Sequence, residues 1–254
     1  MSWAARRRFL ILLLIGAVVL AIAAVTLIAT LHHTPSCTDG IQNQGEQGID
    51  CGGPCPYLCS ALEQAPTVLF TKAIPNGTGR TDVVAEVVNK NADAAAKGVA
   101  YTITLYDASH AFVQSVSGTL DLPPATSVSV FVPGVASGNQ VVASAFLSVQ
   151  ASSIAWFKQS GDPRLLPKIS NVTAGGTPDA PRVEAVLTDP STTPLTQVKV
   201  IALVKDDAGN VIAASQTILP TIPGQGSATA TFTWGAPFPG NPATIDVEPV
   251  IPLP

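Results

Sequence analysis

Charge is what this sequence has least of. Acidic and basic residues make up 12% of the 254-residue chain, about half the share usual in soluble domains. Its surface must therefore be covered largely by Thr, Ser, Asn, Gln and Gly. Basic residues are the scarcer kind, 13 against 17 acidic, and three of them, Arg6, Arg7 and Arg8, stand together near the N-terminus. The remainder keeps 10 basic residues for 17 acidic ones, a net charge of −7. Nucleic acid and anionic lipid headgroups are thereby disfavoured as partners, since both are recognised by Lys/Arg patches. Catalytic signatures are missing too. There is no G-x-S-x-G elbow, no P-loop, no G-x-G-x-x-G after a strand and no H-E-x-x-H. Of the three histidines, His32 and His33 adjoin an apolar run and His110 falls in a turn beside Asp107. Asp206 and Asp207 read as a solvated turn. The chain is expected not to be an enzyme.

What is present begins with Phe9 to Leu31, FLILLLIGAVVLAIAAVTLIATL, which holds no charged residue and only two weakly polar ones, Thr26 and Thr30. As a helix rising about 1.5 Å per residue, it would reach roughly 34 Å, slightly more than a bilayer's hydrocarbon core. Only a helix satisfies its own backbone there. Arg6, Arg7 and Arg8 precede it and the first charge after it is Asp39. Positive flanks stay inside, so residues 1–8 are expected in the cytoplasm, 9–31 in the cell membrane and 32 onward outside, with Trp3 at the interface. A cleaved signal peptide is the rival. Its apolar region would be shorter, and His32-His33-Thr34-Pro35 offers no small-x-small site. Cys37 lies too far beyond the run for a lipoprotein.

All four cysteines fall in residues 35–60, PSCTDGIQNQGEQGIDCGGPCPYLCS. Cys37, Cys51, Cys55 and Cys59 are even in number and expected outside the cytoplasm, where disulfides persist. The glycines and prolines among them leave no room for a core, so crosslinks must supply order. Two disulfides are expected, in any of three pairings. Zinc is the runner-up, although paired C-x2-C knuckles are absent. Asp39, Asn43, Glu46 and Asp50 are oxygen donors spaced three or four apart among glycines, which suits calcium as a cofactor. They do not match the EF-hand loop, and the plainer reading is a solvated loop kept soluble by its acids. The string C-T-D-G-I-Q-N-Q-G-E-Q-G-I-D-C-G-G-P-C-P-Y-L-C resembles a cysteine-rich segment of bacterial surface and secreted proteins, C-x-D-G-x-x-N-x-x-E-x-G-x-D-C-G-G-x-C, which ends in a further Cys. The resemblance covers about 23 residues and departs in the last gap, three residues instead of two. It implies an extracellular, disulfide-bonded module without catalytic activity.

Beyond Ser60 the pattern changes to short alternating runs of Val, Ile and Thr between turns rich in the chain's 22 prolines and 20 glycines. Val99, Tyr101, Ile103 and Leu105 fall on one face of a half-buried strand, with Ala100, Thr102 and Thr104 on the other. Further strands are expected at 82–88, 128–132 and 141–149, with Ile154-Ala155-Trp156-Phe157 closing the unit. About one hundred residues on, the plan recurs. Val198, Val200, Ala202 and Val204 alternate, Asp206-Asp207-Ala208-Gly209-Asn210 turns, and Ile222-Pro223-Gly224 answers Leu122-Pro123-Pro124. The sequence thus predicts an all-β ectodomain of two tandem immunoglobulin-like β-sandwiches. A single transmembrane helix and a short disulfide-rich segment precede them. The stem is residues 32–62, the sandwiches 63–161 and 162–254, divided at Gly161-Asp162-Pro163, and the second is expected to lack or shorten its final strand. No cysteine pair bridges their sheets, so they are not antibody-type domains. Tyr101, Tyr106, Phe112 and Trp156 are expected in the first core and not as a carbohydrate platform. The sequons at Asn76-Gly77-Thr78 and Asn171-Val172-Thr173 are too common by chance to count.

Tyr101 to Ala108, followed by an aromatic-aliphatic strand and Leu122-Pro123-Pro124, resembles the FxLYD type of immunoglobulin-like domain. There a strand ends in Leu-Tyr-Asp, a Gly-rich turn follows and a Pro-containing step precedes the next strand. The first unit has Ile103 in place of Phe and Ser109-His110 in place of the turn glycine. The second keeps the glycine but reads Val204-Lys205-Asp206. The resemblance implies a bacterial surface domain for spacing or binding. The whole then reads as a membrane-anchored, non-catalytic envelope protein, its partners the bilayer along Phe9 to Leu31 and a protein or envelope polymer outside. The alternative is an accessory subunit of a secretion, pilus or transporter assembly, packed through Gly16, Ala17, Ala21, Ala23 and Ala24.

Overall fold

The apolar run folds as one helix. In the computed structural model, which describes residues 3–31, 36–76, 79–137, 140–151 and 154–254, α1 spans Trp3–Leu31. Its segment Arg6–Ile28 is long and apolar enough to cross a membrane. Apolar side chains point to every side of it, so no stripe is set aside for a core. Leu20, for example, is 73% exposed. The Thr26 hydroxyl donates back to the Ile22 carbonyl at 3.0 Å, which satisfies this polar group within the helix.

Residues 1–56 and 57–254 form two compact units. After α1 the first unit continues as a turn-rich loop over the described residues 36–56, with one isolated bridge between Gly48 and Cys51. The second unit is all β. It opens with β1 (Thr67–Pro75), β2 (Arg80–Val88), β3 (Ala94–Tyr106) and β4 (Phe112–Leu122). Then come β5 (Ser127–Ser137), β6 (Ser144–Val149) and the two-residue β7 (Phe157–Lys158). Beyond a linker lie β8 (Lys168–Thr177), β9 (Ala180–Thr188), β10 (Leu195–Lys205), β11 (Val211–Ile222), β12 (Ser227–Thr233) and β13 (Thr244–Val250).

These strands form two sandwiches with the same strand order. Sheet β1-β2-β5 faces sheet β4-β3-β6, and β8-β9-β12 faces β11-β10-β13. Every pairing is antiparallel. β7 pairs with Ala94 and Ala95 at the start of β3 and bridges through Phe157 to Tyr57, and no described strand follows β13. The first core holds Val83, Ile103, Leu105, Leu122 and Trp156, the second Val183, Leu187, Val200, Phe232 and Trp234. Trp234 Nε1 donates to the Ala214 carbonyl at 3.1 Å, the partner a buried indole needs. In the first sandwich Gly118 is dictated by packing: a Cβ there would lie 2.4 Å from the Tyr101 hydroxyl. Side chains lace its two sheets at both borders. Leu147 N donates to Thr71 Oγ1 at 3.1 Å, and the Gln114 amide donates to the Val135 carbonyl.

The sandwiches also pack on each other. A third cluster joins Phe70, Ile74, Val84 and Phe131 of the first to Ile201, Leu203, Val211 and Ala214 of the second. The outer face of β1-β2-β5 thus meets the outer face of β11-β10-β13, giving four stacked sheets. This corrects the expected half-buried alternation of the second sandwich. Val200, Ile201, Ala202, Leu203 and Val204 are all within 1% of full burial, because β10 has a core on each side. β2 is buried on both faces for the same reason. Lys72 Nζ crosses the junction to donate to the Val211 carbonyl at 2.6 Å. The C-terminal segment crosses too, its Leu253 N–H donating to Asp121 Oδ2 at 2.9 Å.

Two further expectations change. Tyr101 and Trp156 are core residues, but Tyr106 is half-buried and Phe112 is exposed. The alternation that turns Val99, Tyr101, Ile103 and Leu105 inward turns Tyr106 outward, and Phe112 is its cross-strand partner. β6 starts at Ser144, with Val141 exposed ahead of it.

Candidate binding face and the disulfide-bonded loop

In the loop after α1, Cys37 is bonded to Cys55, closing a ring across 18 residues. Cys51 and Cys59 are disulfide-bonded as well, and no cysteine is free. The four oxygen donors singled out in the sequence lie inside this ring, and each bonds to its backbone or to another of them. Asp50 Oδ1 accepts from Asp39 N at 3.0 Å and Oδ2 from Gly40 N at 3.0 Å. Asp39 Oδ1 accepts from Ile41 N at 2.9 Å, and Oδ2 from Ser36 N at 3.1 Å and Asn43 Nδ2 at 2.9 Å. Glu46, buried, accepts from Asp50 N at 3.2 Å. Carboxylates used in this way hold turns where Gln44, Asp50 and four glycines have positive φ. One oxygen, Asn43 Oδ1, is buried without a partner. Glu46 also approaches Cys37 and Cys55 closely enough for the three to suggest a metal site. The two sulfurs are bonded to each other, though, so neither is the thiolate that a metal takes.

Elsewhere, acids likewise serve turns. Asp107 Oδ1 accepts from Ser109 N and Ala111 N at 2.8 and 2.9 Å. Asp206 Oδ1 accepts from Ala208 N and Asn210 N at 3.0 and 2.8 Å. The Ser109 hydroxyl first, then these amides, hold the Asp107 carboxyl below the usual range, and the bonds from Asn210 do so for Asp206. His110 is exposed at the tip of the first turn. His32 and His33, and Gly77 and Thr78 of the first sequon, lie outside the described residues. Asn171 of the second is exposed in β8.

The surface that stands out is the outer face of sheet β4-β3-β6. β3 turns Ala100, Thr102, Thr104 and Tyr106 to it. Register sets Ser117 and Ser148 on either side of Thr102, Ser115 and Phe146 beside Thr104, and Phe112 and Ser144 beside Tyr106. The Thr102 and Ser117 hydroxyls meet at 3.2 Å, and Ser148 Oγ donates to the Thr102 carbonyl at 3.3 Å. At one end three aromatics lie across the strands. Tyr106 and Phe146 pack edge to face with centroids 5.9 Å apart, while Phe112 and Phe146 are 63% and 61% exposed. These rows carry no charged residue. Sequence reasoning missed Phe146 and misplaced Tyr106 and Phe112, although period-two alternation alone would have sent Tyr106 outward.

The junction between the sandwiches also holds a cleft of about 250 Å³ lined by Tyr101, Asp121, Ser129, Arg164 and Lys199. Arg164 is already paired with Asp162 at 2.7 Å. Nearby, burial and then Glu86 push the Glu248 carboxyl up. Lys205 is pushed up by its bond to Asp246, 2.6 Å away.

No family model matches the chain, and no curated protein matches it. Among solved structures, a similar one is the crystal structure of red sea bream transglutaminase, at 14% identity over 73% of this chain and 29% of that one, with a TM-score of 0.24. The chain spans less than a third of that protein, and so loose a likeness carries no argument about fold or activity.

Proposed function

We propose that this chain is a membrane-anchored, non-catalytic binding protein of the cell envelope, with residues 1–8 in the cytoplasm and the disulfide-bonded loop and sandwiches outside. The observation that carries this reading is the order along the chain: three arginines, an apolar helix with no face set aside for a core, then bonded cysteines. The arginines orient the helix, and disulfides persist on the side to which that orientation delivers them. The resemblance of residues 37–59 to a bacterial surface segment, and of the Asp107 and Asp206 hairpins to FxLYD domains, supports the same placement. The shared strand order of the two sandwiches we take as an internal duplication.

The test is topology. With single cysteines introduced at Ser2 and at Ser109 of a Cys-free chain, an impermeant maleimide should label intact cells at 109 and spare 2. Labelling at 2 instead would overturn the orientation, and release of a chain lacking the first thirty or so residues would overturn the anchor.

A further inference from the structure

We propose that the outer face of sheet β4-β3-β6 binds a neutral, linear glycan, its sugar rings held against the exposed rings of Phe112 and Phe146, with Tyr106 between them. The proposal deepens the envelope-binding reading and rests on it.

Position in the stack comes first. The corresponding face of the second sandwich, on β10, carries Ile201 and Leu203 and is buried against the first sandwich. Among the described residues of this unit the face on β3 has no such cover, and its composition differs accordingly. Hydroxyls replace aliphatics at Thr102, Thr104, Ser115, Ser117 and Ser148, and apart from Ala100 the apolar residues left are aromatic. Two phenylalanines more than half exposed, within one patch, mark an interaction site.

Charge then selects the partner. The chain beyond the anchor, residues 32–254, carries −7, yet these rows are free of charge. In the rows around the three aromatics a polyanion would find no Lys or Arg as counter-charge. Lys97 and Asp121 lie at the opposite end of β3 and β4, and the Asp107 carboxylate beside Tyr106 is engaged by its own turn. A protein partner seats its anchors in desolvated pockets, whereas on this face Phe112 and Phe146 stand exposed on an antiparallel sheet. A neutral polysaccharide fits both halves of it. The C–H face of a pyranose is apolar and covers an aromatic ring, while its equatorial hydroxyls reach the Ser/Thr rows, each of which can donate or accept. Across three strands spaced about 4.8 Å apart, the aromatic strip extends roughly 10 Å, the scale of a disaccharide.

The experiment uses the full chain in detergent micelles and measures depletion onto microcrystalline cellulose, insoluble mannan and starch granules. Wild type should bind at least one of them. Phe112→Ala and Phe146→Ala should each weaken that binding at least tenfold, and Thr104→Lys should weaken it too by obstructing the strip. Both phenylalanines are exposed, so the melting temperature should stay within a degree or two of wild type. Absence of wild-type binding to all three polymers, or binding unaffected by the double variant, overturns the proposal. Concentration-dependent self-association that the double variant abolishes also overturns it, in favour of a second copy of this chain. The topology experiment above fails or succeeds separately, so loss of glycan binding with correct orientation removes only this inference.

Discussion

Asn89 and Asp189 hold the same corner in the two sandwiches, yet only the asparagine uses both polar atoms of its side chain. Asn89 N donates to the Thr126 carbonyl and Asp189 N to the Gly226 carbonyl, at 3.0 and 2.9 Å. Their Oδ1 atoms accept from Asn91 N and Ser191 N at 2.9 and 2.8 Å. Asn89 Nδ2 then donates to the Ala94, Pro123 and Leu122 carbonyls at 2.7, 2.8 and 3.3 Å. Asp189 has no hydrogen to give there, and its Oδ2 is buried without a partner.

Asp189→Asn should therefore stabilise the protein, by about 1–2 kcal/mol if the new amide finds the carbonyls its counterpart finds. The reverse change, Asn89→Asp, should cost at least as much. Urea denaturation of both variants checks this, and a destabilised Asp189→Asn would show that the second corner is built differently.

The hairpin tips make a second pair. His110 has φ +63° where Gly209 has φ +80°, each donating its N–H to the turn aspartate's carbonyl, at 3.1 and 2.9 Å. A side chain is disfavoured in that conformation. Gly209→Ala should cost about 1 kcal/mol, while His110→Gly should be neutral or gain up to about 1 kcal/mol. Thermal melts of the two variants should move in opposite directions or leave His110→Gly unmoved.

Ile201 lies at the junction, buried against the first sandwich. Ile201→Asp would place a charge there without disturbing the second sandwich's own core, the charge costing several kcal/mol unless the sheets part. Calorimetry should resolve one transition in the wild type and two in the variant, and a single shifted transition would refute independent sandwiches.

Glu248 at this junction has its carboxyl pushed up by burial and by Glu86, with Asp246 adding to the push and Lys205 opposing it. The folded state thus holds that proton more tightly than the unfolded chain, and stability falls as pH rises from the ordinary carboxylate range through the raised value. Glu248→Gln should raise the melting temperature at pH 7.5 and lose that advantage near pH 4. Asp107 and Asp206 act in the opposite sense. Their carboxyls are held low, so what they contribute is present at neutral pH and lost only on strong acidification.

In the disulfide-bonded loop, Cys37→Ser with Cys55→Ser opens an 18-residue closure, worth about 3 kcal/mol in the chain-entropy account. Proteolysis within residues 38–54 should accelerate. Because the acids of this loop are engaged by its own amides, millimolar calcium or a chelator should leave the wild-type cleavage rate unchanged. A chelator-sensitive rate would instead assign a cation to Asp39, Asn43, Glu46 and Asp50.

Local patterns were legible wherever one physical rule acted alone. Twenty-three residues without charge are a helix before any packing is known, and alternation in Val99–Leu105 shows which side chains of β3 enter a core. Asp107 and Asp206 announce their turns because an aspartate can accept from the amides two and four residues on. β8 escaped notice because its Ser, Gly and Thr residues carry no alternation, and all ten are exposed. The stacking of four sheets was not legible either. Ile201 and Leu203 show that β10 is apolar on both faces, but not which surface covers the second. For the same reason Tyr106, Phe112 and Phe146 became a surface only once register set them side by side. Sequence determined the elements of this protein through rules that reach a few residues. Tertiary structure decided which faces meet and which stay open, since those contacts join residues far apart in the chain.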